Sequence, residues 1–193
     1  VGLKTLWMDD RLLFNVAAFY QDFENYPYRG DPVSYQTFTT QGGVQRPGVG
    51  SFDFIAGVPV TVRGAEAELS YQFTPDWDFS LNASYSLSKF SDALVPCDDL
   101  NGDNQPDNLQ TPPTLAQVQA YGDDFLGSCL LSQRASPLAP FSASVRTSYA
   151  HDFTPGLQGF VRGLFSFRGA SQGDPQDAND SVDAFGVFDL FGG

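Results

Sequence analysis

Between Asp99 and Asp107 the chain reads DLNGDNQPD, so Asp99, Asn101, Asp103 and Asp107 fall at the first, third, fifth and ninth positions of one run. Calcium, a hard cation, takes several carboxylate and carbonyl oxygens from loops with spacing of this kind. The match is partial: the sixth position is Asn104 where such loops carry glycine, and the twelfth is Gln110 where they carry an acid. The four residues are a candidate calcium site, with a solvated acidic turn as the plainer alternative, and calcium is the one cofactor the sequence suggests. Cys97 and Cys129 are the only cysteines, and both flank this acidic segment. An even count in an oxidising compartment reads as a disulfide, here closing about thirty residues and restricting the unfolded loop by a few kcal/mol.

Other residue types that do chemistry point away from catalysis. Glu66 and Glu68 stand two apart on one strand face, and a carboxylate pair invites an acid–base reading. Lining a polar lumen accounts for them more simply. His151, the only histidine, sits late in an extended run on the apolar parity, where an interfacial side chain is the plainer reading. There is no glycine-rich phosphate loop and no nucleophile–base arrangement. The chain is expected not to be an enzyme. A net charge of −13 argues against nucleic acid as a partner, because such binding needs a basic footprint.

These residues must be held by β structure. From Trp77 the alternation is nearly perfect: Trp77, Phe79, Leu81, Ala83, Tyr85 and Leu87 on one parity, Asp78, Ser80, Asn82, Ser84, Ser86 and Ser88 on the other. Successive strand side chains point to opposite faces, so this is a strand with one apolar and one polar face. The preceding run alternates likewise, with Ala65, Ala67, Leu69, Tyr71 and Phe73 against Glu66, Glu68, Ser70 and Gln72. Thr74-Pro75-Asp76 joins the two as a tight turn, since proline presets φ and Asp tolerates turn geometry. Each arm is about a dozen residues long, where a soluble strand is usually about five or six and a tilted bilayer-crossing strand about nine to eleven. Aromatics at the ends of the apolar face suit the girdles of a lipid-facing strand. A soluble β-sandwich with the apolar parity packed inward fits the hairpin equally well.

The remainder of the chain separates these readings. Val1–Asp9 is a short strand and Asp9-Asp10-Arg11 a turn. Arg11–Glu24 is a second strand, with Leu12, Phe14, Val16, Ala18 and Tyr20 on one face and Phe19 as a misfit on the polar one. Phe141–Phe153 and Leu157–Arg168 form another hairpin about Thr154-Pro155-Gly156, and Phe185–Phe191 begins a further strand. Three long connections lie near 25–57, 91–140 and 169–183; the first is read as an excursion with one short strand near 35–40. The best short helix candidate is 115–125. Short and long connections alternate strictly, as in an up-and-down membrane barrel with turns on one side and loops on the other. A loop of fifty residues is unusual in a compact soluble domain. No run of eighteen apolar residues forms a membrane helix, which leaves barrel strands untouched. The fold class is therefore all-β, an antiparallel up-and-down transmembrane β-barrel segment of seven or eight strands.

The segments GLKTLWMDDRLLFNVAAFYQDFENY, VRGAEAELSYQFTPDWDFSLNASYSLSKFSDA and FVRGLFSFRG resemble the later part of the barrel of TonB-dependent outer-membrane receptors. Phe14, Asn15, Ala17 and Phe19 match an F-N-x-A-x-F strand start. Gly64, Glu66 and Glu68 match G-x-E-x-E. Trp77, Asn82 and Tyr85 match a Trp-initiated strand with N-x-x-Y. The resemblance runs from Gly2 to Arg168, and the order and spacing of these short motifs are more specific than any one of them.

Such receptors have about twenty-two strands and a plugged lumen, so the resemblance implies that the chain, over 1–193, is a section of one. The amino-terminal plug, its TonB-contacting segment and the closing strands are expected to lie outside it. The resemblance implies a bacterial outer-membrane location, outer-membrane lipid around the strands, a scarce large solute (an iron chelate such as a siderophore complex, a corrinoid or an oligosaccharide), and energy from TonB acting through the plug. Tyr26, Tyr28, Tyr35, Phe38, Phe52, Tyr121 and Phe125 are loop aromatics of the type that stack on sugars or planar chelates. A small structural or adhesion barrel, and a soluble sandwich binding module, are the alternatives.

Overall fold

The computed structural model describes residues 1–107, 111–120, 127–172 and 180–193. Alternation becomes strand wherever it was regular. The strands are β1 (Gly2–Trp7), β2 (Leu12–Arg29), β3 (Val33–Gln41), β4 (Val44–Phe52), β5 (Ile55–Thr74), β6 (Trp77–Phe90) and β7 (Ala93–Cys97). After a one-and-a-half-turn helix α1 (Leu115–Ala120) come β8 (Gly127–Leu131), β9 (Phe141–Thr154), β10 (Leu157–Arg168), β11 (Ser171–Gln172), β12 (Ser181–Val182) and β13 (Phe185–Gly192). One sheet takes seven of them in the order β1-β2-β5-β6-β9-β10-β13, an up-and-down course in which each strand lies beside the next sheet strand along the chain. β3–β4, β7–β8 and β11–β12 are separate two-stranded pairs.

The short connections form as their residues dictate. Pro75-Asp76 alone separates β5 from β6, and the Asp76 amide donates to Thr74 Oγ1 at 3.3 Å. Pro155-Gly156 separates β9 from β10 with Gly156 at φ 91°, the left-handed position that a Pro-Gly turn assigns to glycine.

The connection read as an excursion over 25–57 is different in the structure. β2 continues to Arg29, β5 begins at Ile55, and the residues between them form a hairpin of two nine-residue strands instead of one short strand. Gly42 and Gly43, at φ 59° and 80°, make its two-residue turn, a conformation that matches strand twist and needs positive φ at both positions. Pro47 is tolerated because β4 pairs only with β3 and has a free edge for a residue without an amide hydrogen. The 91–140 segment likewise carries β7–β8 and α1, and the part of the expected helix beyond Ala120 lies outside the described residues.

The chain divides into two compact units. Unit 1 is 1–21, 62–88 and 136–193; unit 2 is 22–61 and 89–135. Unit 1 contains the register Leu81↔Val145↔Phe165↔Phe188, an apolar rung crossing four strands. One residue along, Asn82↔Ser144↔Ser166 forms a polar rung on the other face. Among the described residues none in unit 1 is buried, and Tyr85, Trp77 and Tyr149 are each about two-fifths or more exposed. The side chains fully withdrawn from solvent, Leu131, Val33, Val58, Val60, Val95 and Cys129, all belong to unit 2.

Candidate functional site

On the polar face of unit 1, Lys4, Asn15, Glu66, Glu68, Ser144 and Arg168 help to line a groove of about 890 Å³. Asn15 Nδ2 donates to Glu68 Oε2 at 2.8 Å. Arg146 and Asp78 face each other at 3.7 Å, each about half exposed, so their attraction is screened. Glu66 and Glu68 therefore sit among polar neighbours on an open surface. The misfit Phe19 has a physical reason. A Cβ at Gly64 would stand 2.4 Å from the Phe19 ring, so the glycine of the G-x-E-x-E strand vacates the space that the ring covers.

The opposite face is apolar. Trp77, Val145, Tyr149, Val161, Phe165 and Leu190 help to line a recess of about 500 Å³. Towards the short turns the face becomes a band of rings. Phe73 stacks on Trp77 at 4.3 Å, Tyr71 meets Phe73 edge-on at 4.5 Å, and His151 lies between Tyr149 (6.2 Å) and Phe153 (5.0 Å). Trp77 Nε1 donates to Thr147 Oγ1 at 2.9 Å, which meets the polar end of an otherwise apolar ring. His151 is thus one member of an aromatic band.

Unit 2 gathers the loop chemistry. Cys97 and Cys129 are bonded, with Cα atoms 5.8 Å apart, and both are buried against the β7–β8 pair. The next residue, Asp98, reaches β3: its Oδ1 accepts from Ser34 N at 3.0 Å and its Oδ2 from Ser34 Oγ at 2.9 Å. Asp99, Asn101, Asp103 and Asp107 come together in one turn. Asp99 Oδ1 accepts from the amides of Gly102 and Asp103 at 2.8 and 3.0 Å, and its Oδ2 from Asn104 N at 3.0 Å. Asn101 Oδ1 accepts from Asp103 N, and Asp107 accepts from Leu100 N and from Asn101 Nδ2. Gly102 and Asn104 take positive φ, which lets the backbone amides turn inward to these carboxylates. Among the described residues no three His, Cys, Asp or Glu side chains are grouped as metal ligands. Gln110 lies outside the described residues.

Of the loop aromatics, three join one string. Tyr35 meets Phe52 at 5.9 Å, Phe52 meets Phe54 at 6.4 Å, Phe54 meets Tyr28 at 6.3 Å, and Tyr28 meets Phe90 edge-on at 5.2 Å. Tyr26 packs instead on Phe23, and Phe38 is 60% exposed. Tyr121 and Phe125 lie outside the described residues. Phe54, Phe90, Ser34 and Asp98 were not marked by the sequence reading. Gly30 and Gly50 were the available signal, because a Cβ there would stand 2.5 Å from the Phe54 ring and 2.8 Å from the Tyr35 ring.

A sheet of long amphipathic strands without a core, joined by short turns at one end, defines a β-barrel section. The family model described as "TonB dependent receptor-like, beta-barrel" matches residues 1–193, and the chain belongs to that family of outer-membrane receptors and transporters. This sets aside the soluble sandwich. No curated protein matches the chain in sequence. Among solved structures, "Copper transporter OprC" is similar with a TM-score of 0.49 and 15% identity, over 99% of this chain and 21% of that one. The chain thus spans about a fifth of that protein's length.

Proposed function

We propose that the chain forms part of the wall and outer loops of a TonB-dependent outer-membrane receptor that imports a scarce large solute. The observation that carries this reading is the division of burial: along its apolar rung the sheet leaves Phe165 and Phe188 exposed and Leu81 and Val145 only partly covered, while unit 2 buries its own valines and leucine. A side chain such as Phe188, 65% exposed in a sheet with no second layer among the described residues, is stable where the surroundings are hydrocarbon. The polar rung then faces a wet lumen, and Glu66 and Glu68 line it without catalysing anything. The long connections around 25–57, 91–140 and 169–183 lie on the cell's outer side, and the short turns face the periplasm. Lipid, the solute and TonB, which acts through a plug domain, are the partners. An iron chelate, a corrinoid or an oligosaccharide is the solute class.

The test uses the receptor that carries this chain, expressed in cells with and without TonB. Each of three solutes (a ferric siderophore, a corrinoid, an oligosaccharide) is supplied as the limiting nutrient. Receptor-dependent growth on one of them, abolished when TonB is deleted, is the expected result. Growth that needs the receptor and ignores TonB contradicts the proposal.

A further inference from the structure

Unit 2 holds a cavity of about 420 Å³, within the size range of small-molecule sites. Much of its wall is saturated ring: Pro32, Pro96, Pro106, Pro112 and Pro113, together with Tyr28. Pyrrolidine rings offer C–H surface and no N–H donors. The charged groups set among them are carboxylates, which accept. Asp98 and Asp107 line the cavity, as do a third acid, Asp31, and the hydroxyl-bearing Ser34 and Ser51. Both carboxylates already accept from protein donors, Asp98 from Ser34 and Asp107 from Leu100 and Asn101. An ionised carboxylate has about four acceptor sites, so each keeps capacity for a hydroxyl donor.

Charge narrows the class further. No Lys or Arg lines the cavity among the described residues, and unit 2 as a sequence carries eleven Asp or Glu against four Lys or Arg. An anionic group such as a carboxylate, sulfate or catecholate would meet like charge in a partly dry recess, where repulsion is poorly screened. A neutral ligand rich in hydroxyls uses both the carboxylate acceptors and the C–H surface of the wall. The walls are also preset. The Cys97–Cys129 bond fixes β7 against β8, and the Asp98–Ser34 contact ties that pair to β3, so little ordering is left for a ligand to impose.

We infer that this cavity binds a sugar residue of a neutral glycan, its C–H faces on the proline rings and its hydroxyls donating to Asp98 and Asp107. The inference rests on the transport reading and selects one solute class within it. The probe is an array of neutral, sialylated and sulfated glycans, read with the detergent-solubilised receptor and followed by titration with a ferric trihydroxamate and a ferric tricatecholate. Ser51 is exposed on β4, opposite Ser34 in register, so Ser51→Trp fills the cavity from its open side, and Pro112→Gly removes one wall ring. Neutral glycans bind, anionic glycans and ferric chelates do not, and Ser51→Trp weakens binding by about tenfold or more with unchanged melting. If Ser51→Trp melts early, Pro112→Gly serves as the readout, with binding weakened several-fold. Three results overturn the inference and leave the transport proposal standing: no glycan bound, anionic ligands preferred, or neutral binding that neither variant changes. Receptor-dependent uptake indifferent to TonB overturns the transport proposal and leaves the cavity result intact.

Discussion

In unit 1 Trp77, Tyr149, Phe165 and Phe188 stay exposed along a sheet whose strands mostly alternate apolar and polar residues; in unit 2 Val33, Val58, Val95 and Leu131 are withdrawn from solvent by short segments far apart in the chain. Both units draw on the same apolar residue types and reach order by opposite routes. Unit 1 satisfies its backbone by strand pairing and leaves its apolar surface to the surroundings, as a barrel section must. Unit 2 is a small body with its own dry centre and a staple, which it needs because it buries little area. The proline and glycine that make unit 2 read as loop are what allow its hairpins and its cavity to form.

Two substitutions of similar size strike the two routes separately. Leu131→Ala opens a hole at a fully buried site and costs unit 2 about 2–5 kcal/mol. Hydrogen exchange on the detergent-held receptor will show amides of β7 and β8 losing protection while those of β9 and β10 keep theirs. Leu81→Arg places a charge on the apolar rung and costs about 2–4 kcal/mol if that position is near the bilayer midplane. Urea titration in vesicles will show it, and Asn82→Arg, on the polar face, will stay within about 1 kcal/mol.

Removing the staple ranks next. Cys97→Ser with Cys129→Ser frees a segment spanning 32 positions and destabilises unit 2 by about 2–4 kcal/mol, with the unit 1 titration unmoved. Asp98→Ala strands the Ser34 donors and costs about 1–3 kcal/mol, read as faster exchange at the Ser34 amide. The smallest effect belongs to Asn15→Ala, whose bond to Glu68 is solvent-exposed. Its cost is about 0.5 kcal/mol, and a larger loss would mean that the polar face is drier than the structure has it.

How much of this was legible follows from the same contrast. The hairpins Leu69–Leu87 and Val145–Phe165 could be read because a strand between two unlike surroundings writes a period of two into its residues. The Pro-containing turns Thr74–Asp76 and Thr154–Gly156 could be read because their geometry needs those residue types. The pairing of Cys97 with Cys129 followed from there being no other cysteine. β3 was read only in part, as the short strand near 35–40, and β4 was hidden because Pro47, Gly48 and Gly50 interrupt any alternation. The centre of unit 2 joins Val33, Val58, Val95 and Leu131 across about a hundred residues, and contacts that distant leave no local period. Phe19 looked misplaced because its partner Gly64 is a missing side chain, visible only once the two strands share a sheet.

The central claim, that one face of unit 1 meets lipid and the other meets water, is tested most directly by nitroxide labels placed one at a time at Leu81, Asn82, Ser144 and Val145 in the receptor reconstituted in a bilayer. Labels at 81 and 145 should relax faster with oxygen, which concentrates in hydrocarbon, and labels at 82 and 144 faster with a water-soluble nickel chelate. The reverse pattern, or equal nickel access at all four, would contradict the account.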